Sequence, residues 1–123
     1  MKPSMNKEPA SLEADKSKVL ISMDIIEYVQ DSVLIETILQ STTGDVSAVS
    51  FDIGEKKEEK TSPFDTFIQI IDGKAEVIID EKSNHLNTGQ SIIIPVHSRN
   101  SIKANERFKM ISTVIKSGYE VVS

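Results

Sequence analysis

Cysteine is absent from the 123 residues, and so is tryptophan. The first absence excludes disulfide staples, thiol nucleophiles and every thiolate metal site. Aromatic residues are scarce, four Phe and two Tyr, so aliphatic side chains must fill most of any core. Uninterrupted apolar runs such as Ile92–Ile93–Ile94 fall far short of the roughly 20 residues a membrane-spanning helix needs. Positive charge is in deficit: 14 basic residues against 19 acidic ones leave a formal net charge of −5. That balance supplies no electrostatic footprint for nucleic acid or for an anionic membrane surface. Phosphate-cradling glycine loops and a GxSxG elbow are missing too, and only two histidines, His85 and His97, occur. A three-histidine site is therefore impossible.

What is present is short and strand-like. Residues 1–18 are polar, mixed in charge and carry Pro3 and Pro9. They bury too little to offset ordering entropy and read as a flexible tail, with at most a helical turn near Leu12–Asp15. No apolar stretch follows the basic start, so no secretory signal is read, and with no cysteine the expected compartment is the cytoplasm. Residues 19–123 read as one domain. Asp24 can cap a short helical turn over Asp24–Tyr28, ahead of a strand. From there, runs rich in Val, Ile, Phe and Thr alternate with turn residues: Val33–Leu39, Val46–Ile53, Phe64–Ile71, Ala75–Ile79, Ile92–Val96, Ser101–Ala104 and Lys109–Ile115. Thr43–Gly44–Asp45, Asp72–Gly73, Glu81–Asn84, Asn87–Gly89 and Ser117–Gly118 separate them. Many short strands punctuated this closely indicate an all-β sandwich or barrel. Asp72–Gly73 tolerates positive φ and predicts a hairpin joining Phe67–Ile71 to Lys74–Ile79. Phe64, Thr66, Ile68 and Ile70 share one face of the first of these strands; Phe67, Gln69 and Ile71 share the other. Both faces carry apolar bulk, which predicts cover on two sides.

The stretch GEKKEEKTSPFDTFIQIIDG, Gly54 to Gly73, followed by GQSIIIPVHSRN, Gly89 to Asn100, resembles a small bacterial single-domain cupin of the RmlC-like kind. That family's motifs read G(X)5HXH(X)3–4E(X)6G and G(X)5PXG(X)2H(X)3N. Counted from Gly54, the first pattern puts ligand slots at 60, 62 and 66 and its closing glycine at Gly73; counted from Gly89, Pro95 meets the motif proline and the last slot falls at 100. The resemblance spans residues 33–116. It implies a cupin-type double-stranded β-helix, a jelly-roll barrel with both motifs lining its interior and a short N-terminal helical turn. It also implies barrels that pair through sheet faces, hence a homodimer, with residues 21–40 able to lend a strand.

In the four slots stand Lys60, Ser62, Thr66 and Asn100 rather than three histidines and a glutamate. A lysine ammonium has no lone pair to donate, and hydroxyls and an amide are weak neutral donors. No metal and no other cofactor is therefore expected. The same four residues are candidates for holding a small polar or anionic ligand, Lys60 as an anion anchor. The alternative for Lys60 is a solvated ammonium continuing the charged run Glu55–Glu59. The alternative for Ser62 and Asn100 is that they satisfy one another or a trapped water. His97 occupies the position of the second motif's glycine. With Lys60 it is the candidate pair for acid/base chemistry in an isomerase or lyase, against a reading as a loop histidine. His85 falls in a predicted hairpin and reads as exposed. Phe108 and Met110 read as core, and Arg99 and Arg107 as isolated basic residues. The expectation is a cupin-domain protein that binds a small molecule or serves as a dimeric structural module.

Overall fold

A computed structural model describes residues 15–116; all but Asp15 of the Leu12–Asp15 turn, most of the 1–18 tail and the Ser117–Gly118 separator fall outside those residues. Among the described residues, eight strands follow a 3-10 turn over Ser22–Asp24. They are β1 (Val33–Ser41), β2 (Gly44–Phe51), β3 (Lys56–Glu59), β4 (Asp65–Ile79), β5 (Lys82–Asn87), β6 (Ser91–Ile94), β7 (Asn100–Lys103) and β8 (Phe108–Ile115). All pairings are antiparallel. The helical turn is displaced from its expected place: it ends at Asp24 instead of starting there, and no side chain caps it.

The architecture turns on β4. Its first half lies between β8 and β6, its second half between β7 and β5. One leaf is thus β1-β2-β8-β4-β6 and the other β3-β7-β4-β5, and a single strand belongs to both. The expected hairpin at Asp72–Gly73 does not form, because Phe67–Ile71 and Lys74–Ile79 are one continuous strand. The pairing with β8 slips between Ile70 and Asp72, and Gly73 has φ +84. A β-bulge of this kind bends a strand without reversing it. Positive φ suits a bend as well as a turn, so the dipeptide alone does not tell them apart. A Cβ at Gly73 would stand 2.3 Å from the Arg107 carbonyl oxygen, so the glycine is also what lets β8 approach. The reversal comes at Asp80–Glu81, φ +48 and +73, a two-residue turn joining Ile79 to Lys82.

Alternation along the strands builds the core. Ile68 and Ile70 point inward with Val49, Phe51, Val77, Ile94, Ile102, Phe108 and Met110. Phe51 and Phe108 stack with ring centroids 4.6 Å apart. Burying an aromatic pair of this size is the largest single apolar contribution available to a chain so poor in aromatics. The other face of the first leaf is only partly covered. A strap, residues 22–32, crosses it and buries Ile26, Ala48 and Ser50 outside the main core. Ser50 Oγ donates to the Glu27 carbonyl at 2.8 Å, and the Tyr28 hydroxyl donates to Asp72 Oδ2 at 2.7 Å. Arg107 and Lys109 lie over the Tyr28 ring at 4.3 and 4.9 Å. Burial and the neighbouring Asp72 carboxylate push the Tyr28 phenol well above its ordinary range. Among the described residues no helix is long and apolar enough to cross a membrane.

Candidate functional site

The site forms where β3, β7, the start of β4 and the end of β8 meet at one end of the barrel. Asn100 opens β7, flanked by Glu59 of β3 on one side and Ile79 of β4 on the other. This central position buries its side chain, leaving 6% exposed. Its amide nitrogen Nδ2 has no hydrogen-bond partner among the described residues. Buried donors are almost always paired, so an orphan of this kind calls for an explanation. Asn100 lines an interior cavity of about 120 Å³ together with Thr66 and Ser112. Phe64, Ile68, Ile102 and Met110 supply apolar wall, and Lys57 and Glu59 stand at the rim. The Thr66 hydroxyl reaches only a long contact to the Phe64 carbonyl, 3.4 Å.

A second, more open depression of about 320 Å³ lies beside it, lined by Glu59, Lys60, Ile78, Glu81, Arg99 and Asn100 among others. Asn100 is common to both spaces. The four slot residues are therefore divided: Thr66 and Asn100 share the cavity, Lys60 and Asn100 share the outer groove, and Ser62 lines neither. Ser62 is buried, but its hydroxyl donates to the Phe64 carbonyl at 2.8 Å. Its backbone accepts from His97 N at 2.7 Å and donates to the Ser98 carbonyl at 2.8 Å. It joins the two motif loops, helped by Val96 N donating to Asp65 Oδ1 at 2.8 Å. Lys60 is exposed, and it follows a strand: the charged run 56–59, read from sequence as solvated loop, is β3. His97 is exposed and lines neither the cavity nor the groove, so the structure does not bring it into one pocket with Lys60. His85 is exposed on β5, with Nε2 3.5 Å from Ser83 Oγ and 4.0 Å from Glu76 Oε2.

Among the described residues there is no group of three or more His, Cys, Asp or Glu side chains placed to hold a metal ion. Inside the rim set by Lys57 and Glu59, the cavity's polar groups are neutral: two hydroxyls and an amide.

No protein-family model matches the chain, and no curated protein matches it. Solved structures do. A conserved protein of unknown function from Streptococcus pyogenes is 28% identical and superposes with a TM-score of 0.79, covering 90% of this chain and 97% of its own. A cupin-superfamily protein from Desulfitobacterium hafniense is 26% identical, with a TM-score of 0.76 over 85% of this chain and 95% of its own. The chain has the cupin fold. An RmlC-like cupin from Shewanella frigidimarina, at 14% identity and a TM-score of 0.69 over 90% of this chain and all of its own, shares the fold.

The cupin frame explains the conformation of His97. The second motif's glycine falls at this position, and His97 adopts φ +70, the left-handed region that glycine favours. The backbone has kept the motif's shape while the residue has changed. Lys57, Glu59 and Ser112 escaped the sequence reading. The two charged residues were hidden in a run that looked like loop. Ser112 was legible in principle, since Met110, Ser112 and Val114 alternate on one face of β8.

Proposed function

We propose that this cupin-fold protein holds a small organic molecule in its barrel through neutral hydrogen bonds, without a metal ion. One observation carries the reading: a buried amide donor with no partner, on the wall of a largely apolar cavity. A group left so costs about 1–3 kcal/mol. A ligand oxygen accepting from Asn100 Nδ2 would recover that cost, with Thr66 and Ser112 within the same cavity. A cavity of ~150 Å³ accommodates benzene, so 120 Å³ suits a molecule of a few heavy atoms. The chemistry that fits is a short carbonyl compound or carboxylic acid, its oxygen toward Asn100 and its alkyl part against Ile68 and Met110. Metal is disfavoured by the donor set: Lys60 opens to the groove, the Ser62 hydroxyl is engaged, Thr66 and Asn100 offer two neutral oxygens, and Glu59 adds a single carboxylate beside the Lys57 cation. Acid/base chemistry through Lys60 and His97 is not part of the reading, because no shared pocket supports it. The cysteine-free composition agrees with a cytoplasmic setting, which we include in the proposal.

The test is a titration of isotopically labelled protein with acetone and with propionate, following the Asn100 side-chain amide resonances. Saturable shifts that vanish in Asn100→Leu are expected, with elemental analysis giving far less than one metal per chain. A stoichiometric metal that Asn100→Leu releases, or an Asn100 amide indifferent to both probes, would refute the reading.

A further inference from the structure

The outer face of the second leaf carries charge in rows fixed by register. Lys56, Lys103 and Glu76 lie in one row across β3, β7 and β4, and Glu58, Ser101 and Ile78 in the next. One step on from the pairing of Asn100 with Glu59 and Ile79, the same register sets Arg99 against Lys60 and Asp80. Backbone bonds hold this row in place. Arg99 N donates to Asp80 Oδ1 at 3.0 Å, and Asp80 N donates to the Arg99 carbonyl at 2.8 Å. Just beyond, Ser62 is tied to both His97 and Ser98. Two cations thus stand opposite each other on adjacent segments, an arrangement that destabilises a sheet unless something negative joins them.

The neighbouring carboxylates do not join them. Glu58 pairs with Lys56 at 3.2 Å, and Asp80 Oδ1 accepts from the Arg99 backbone instead of its guanidinium. Among the described residues no ion pair engages Lys60, Arg99, Glu59 or Glu81. All four line the open groove of about 320 Å³, together with half-buried Ile78 and Ser101. The groove therefore offers cations, carboxylates and an apolar surface at once. A multiply charged anion such as phosphate would meet the two cations but be repelled by Glu59 and Glu81. A zwitterion answers both signs.

We propose that this groove is a binding site for a free α-amino acid with an apolar side chain. The carboxylate bridges Lys60 and Arg99, whose guanidinium supplies two parallel N–H donors to it. The ammonium turns to Glu59 and Glu81, and the side chain covers Ile78. The inference concerns the outer groove and does not rest on what the interior cavity holds.

The test titrates isotopically labelled protein with L-leucine and with its two half-charged analogues: 4-methylpentanoate, which lacks the ammonium, and isoamylamine, which lacks the carboxylate. L-Leucine should give saturable shifts at the Ile78, Arg99 and Ser101 backbone amides, and each analogue should bind about tenfold more weakly or worse. Lys60→Ala and Arg99→Ala, both at exposed positions, should weaken L-leucine by about tenfold with unchanged far-ultraviolet circular dichroism. Should a variant misfold, the comparison of analogues decides. Shifts confined to Thr66 and Ser112 would put leucine in the cavity and overturn the proposal. So would a failure to saturate, equal affinity for 4-methylpentanoate or inorganic phosphate, or folded variants that bind leucine as the natural chain does.

Discussion

Asn100 illustrates how one side chain can be costly to the fold and useful to the site. Its amide nitrogen is hidden by the strands on either side and has no hydrogen-bond partner among the described residues. Replacing it with leucine, close in size, removes the unsatisfied group, so Asn100→Leu should stabilise the protein by about 1–3 kcal/mol in urea unfolding. A loss of stability would mean that the amide is satisfied in solution. His97 raises the same kind of question for the backbone. A left-handed residue with a Cβ is strained by ~1–2 kcal/mol, partly offset because glycine loses more chain entropy on folding. His97→Gly should therefore leave stability unchanged or raise it by up to ~1 kcal/mol, whereas a β-branched His97→Val should lower it. At Gly73 the sign is reversed. With φ +84 and the Arg107 carbonyl 2.3 Å from where a Cβ would sit, Gly73→Ala must move backbone. A loss of at least ~2 kcal/mol is expected in the same measurement.

Among the elements, the strap depends most on polar contacts. Asp52 anchors its far end: Oδ2 accepts from Asp31 N at 2.7 Å, and Oδ1 faces Arg107 Nη2 at 3.3 Å. The backbone N–H groups of Asp31 and then Ile53, with Arg107 behind them, hold the carboxyl below the ordinary aspartate range. Glu76 is likewise lowered, by the Ser83 hydroxyl and the Asn105 amide. A carboxyl lowered in the folded state contributes stability that is present above its unfolded value, roughly 4, and lost as pH falls through the folded value. Asp52→Asn should accordingly lower the urea midpoint at pH 7 and flatten its fall between about pH 5 and 3. A parallel acid limb in the variant would show that Asp52 is not a source of that fall. Tyr28→Phe removes the bond to Asp72 while keeping the ring under Arg107 and Lys109, and should cost about 1 kcal/mol. Urea unfolding at pH 7 measures that loss.

At the scale of the whole molecule, local pattern and long-range pairing contributed different things. Strand character was legible wherever β-branched residues alternated between turn residues: β1, β2, β6, β7 and β8 begin or end within two residues of the runs read from sequence. Barrel class followed from the density of those runs, and the cupin spacing from Gly54, Gly73, Gly89 and Pro95. Two strands were not legible. β3 is four charged residues, and β5 was read as turn at its start, because each owes its strand geometry to a neighbouring backbone and not to its own side chains. The cavity was half legible. Motif spacing grouped Thr66 and Asn100, which line one cavity, with Lys60 and Ser62, which do not line it. Where a side chain points after a strand ends depends on loop hydrogen bonds such as Ser62 to Phe64, which no spacing encodes. Sequence alone determined composition-limited chemistry, strand content and the places where positive φ is tolerated, all of which are properties of a residue and its near neighbours. Tertiary structure decided that Asp72–Gly73 bends instead of reversing and that Asn100 Nδ2 is left without a partner among the described residues. Each of these depends on which distant strand lies alongside, and that is settled only when the whole sheet closes.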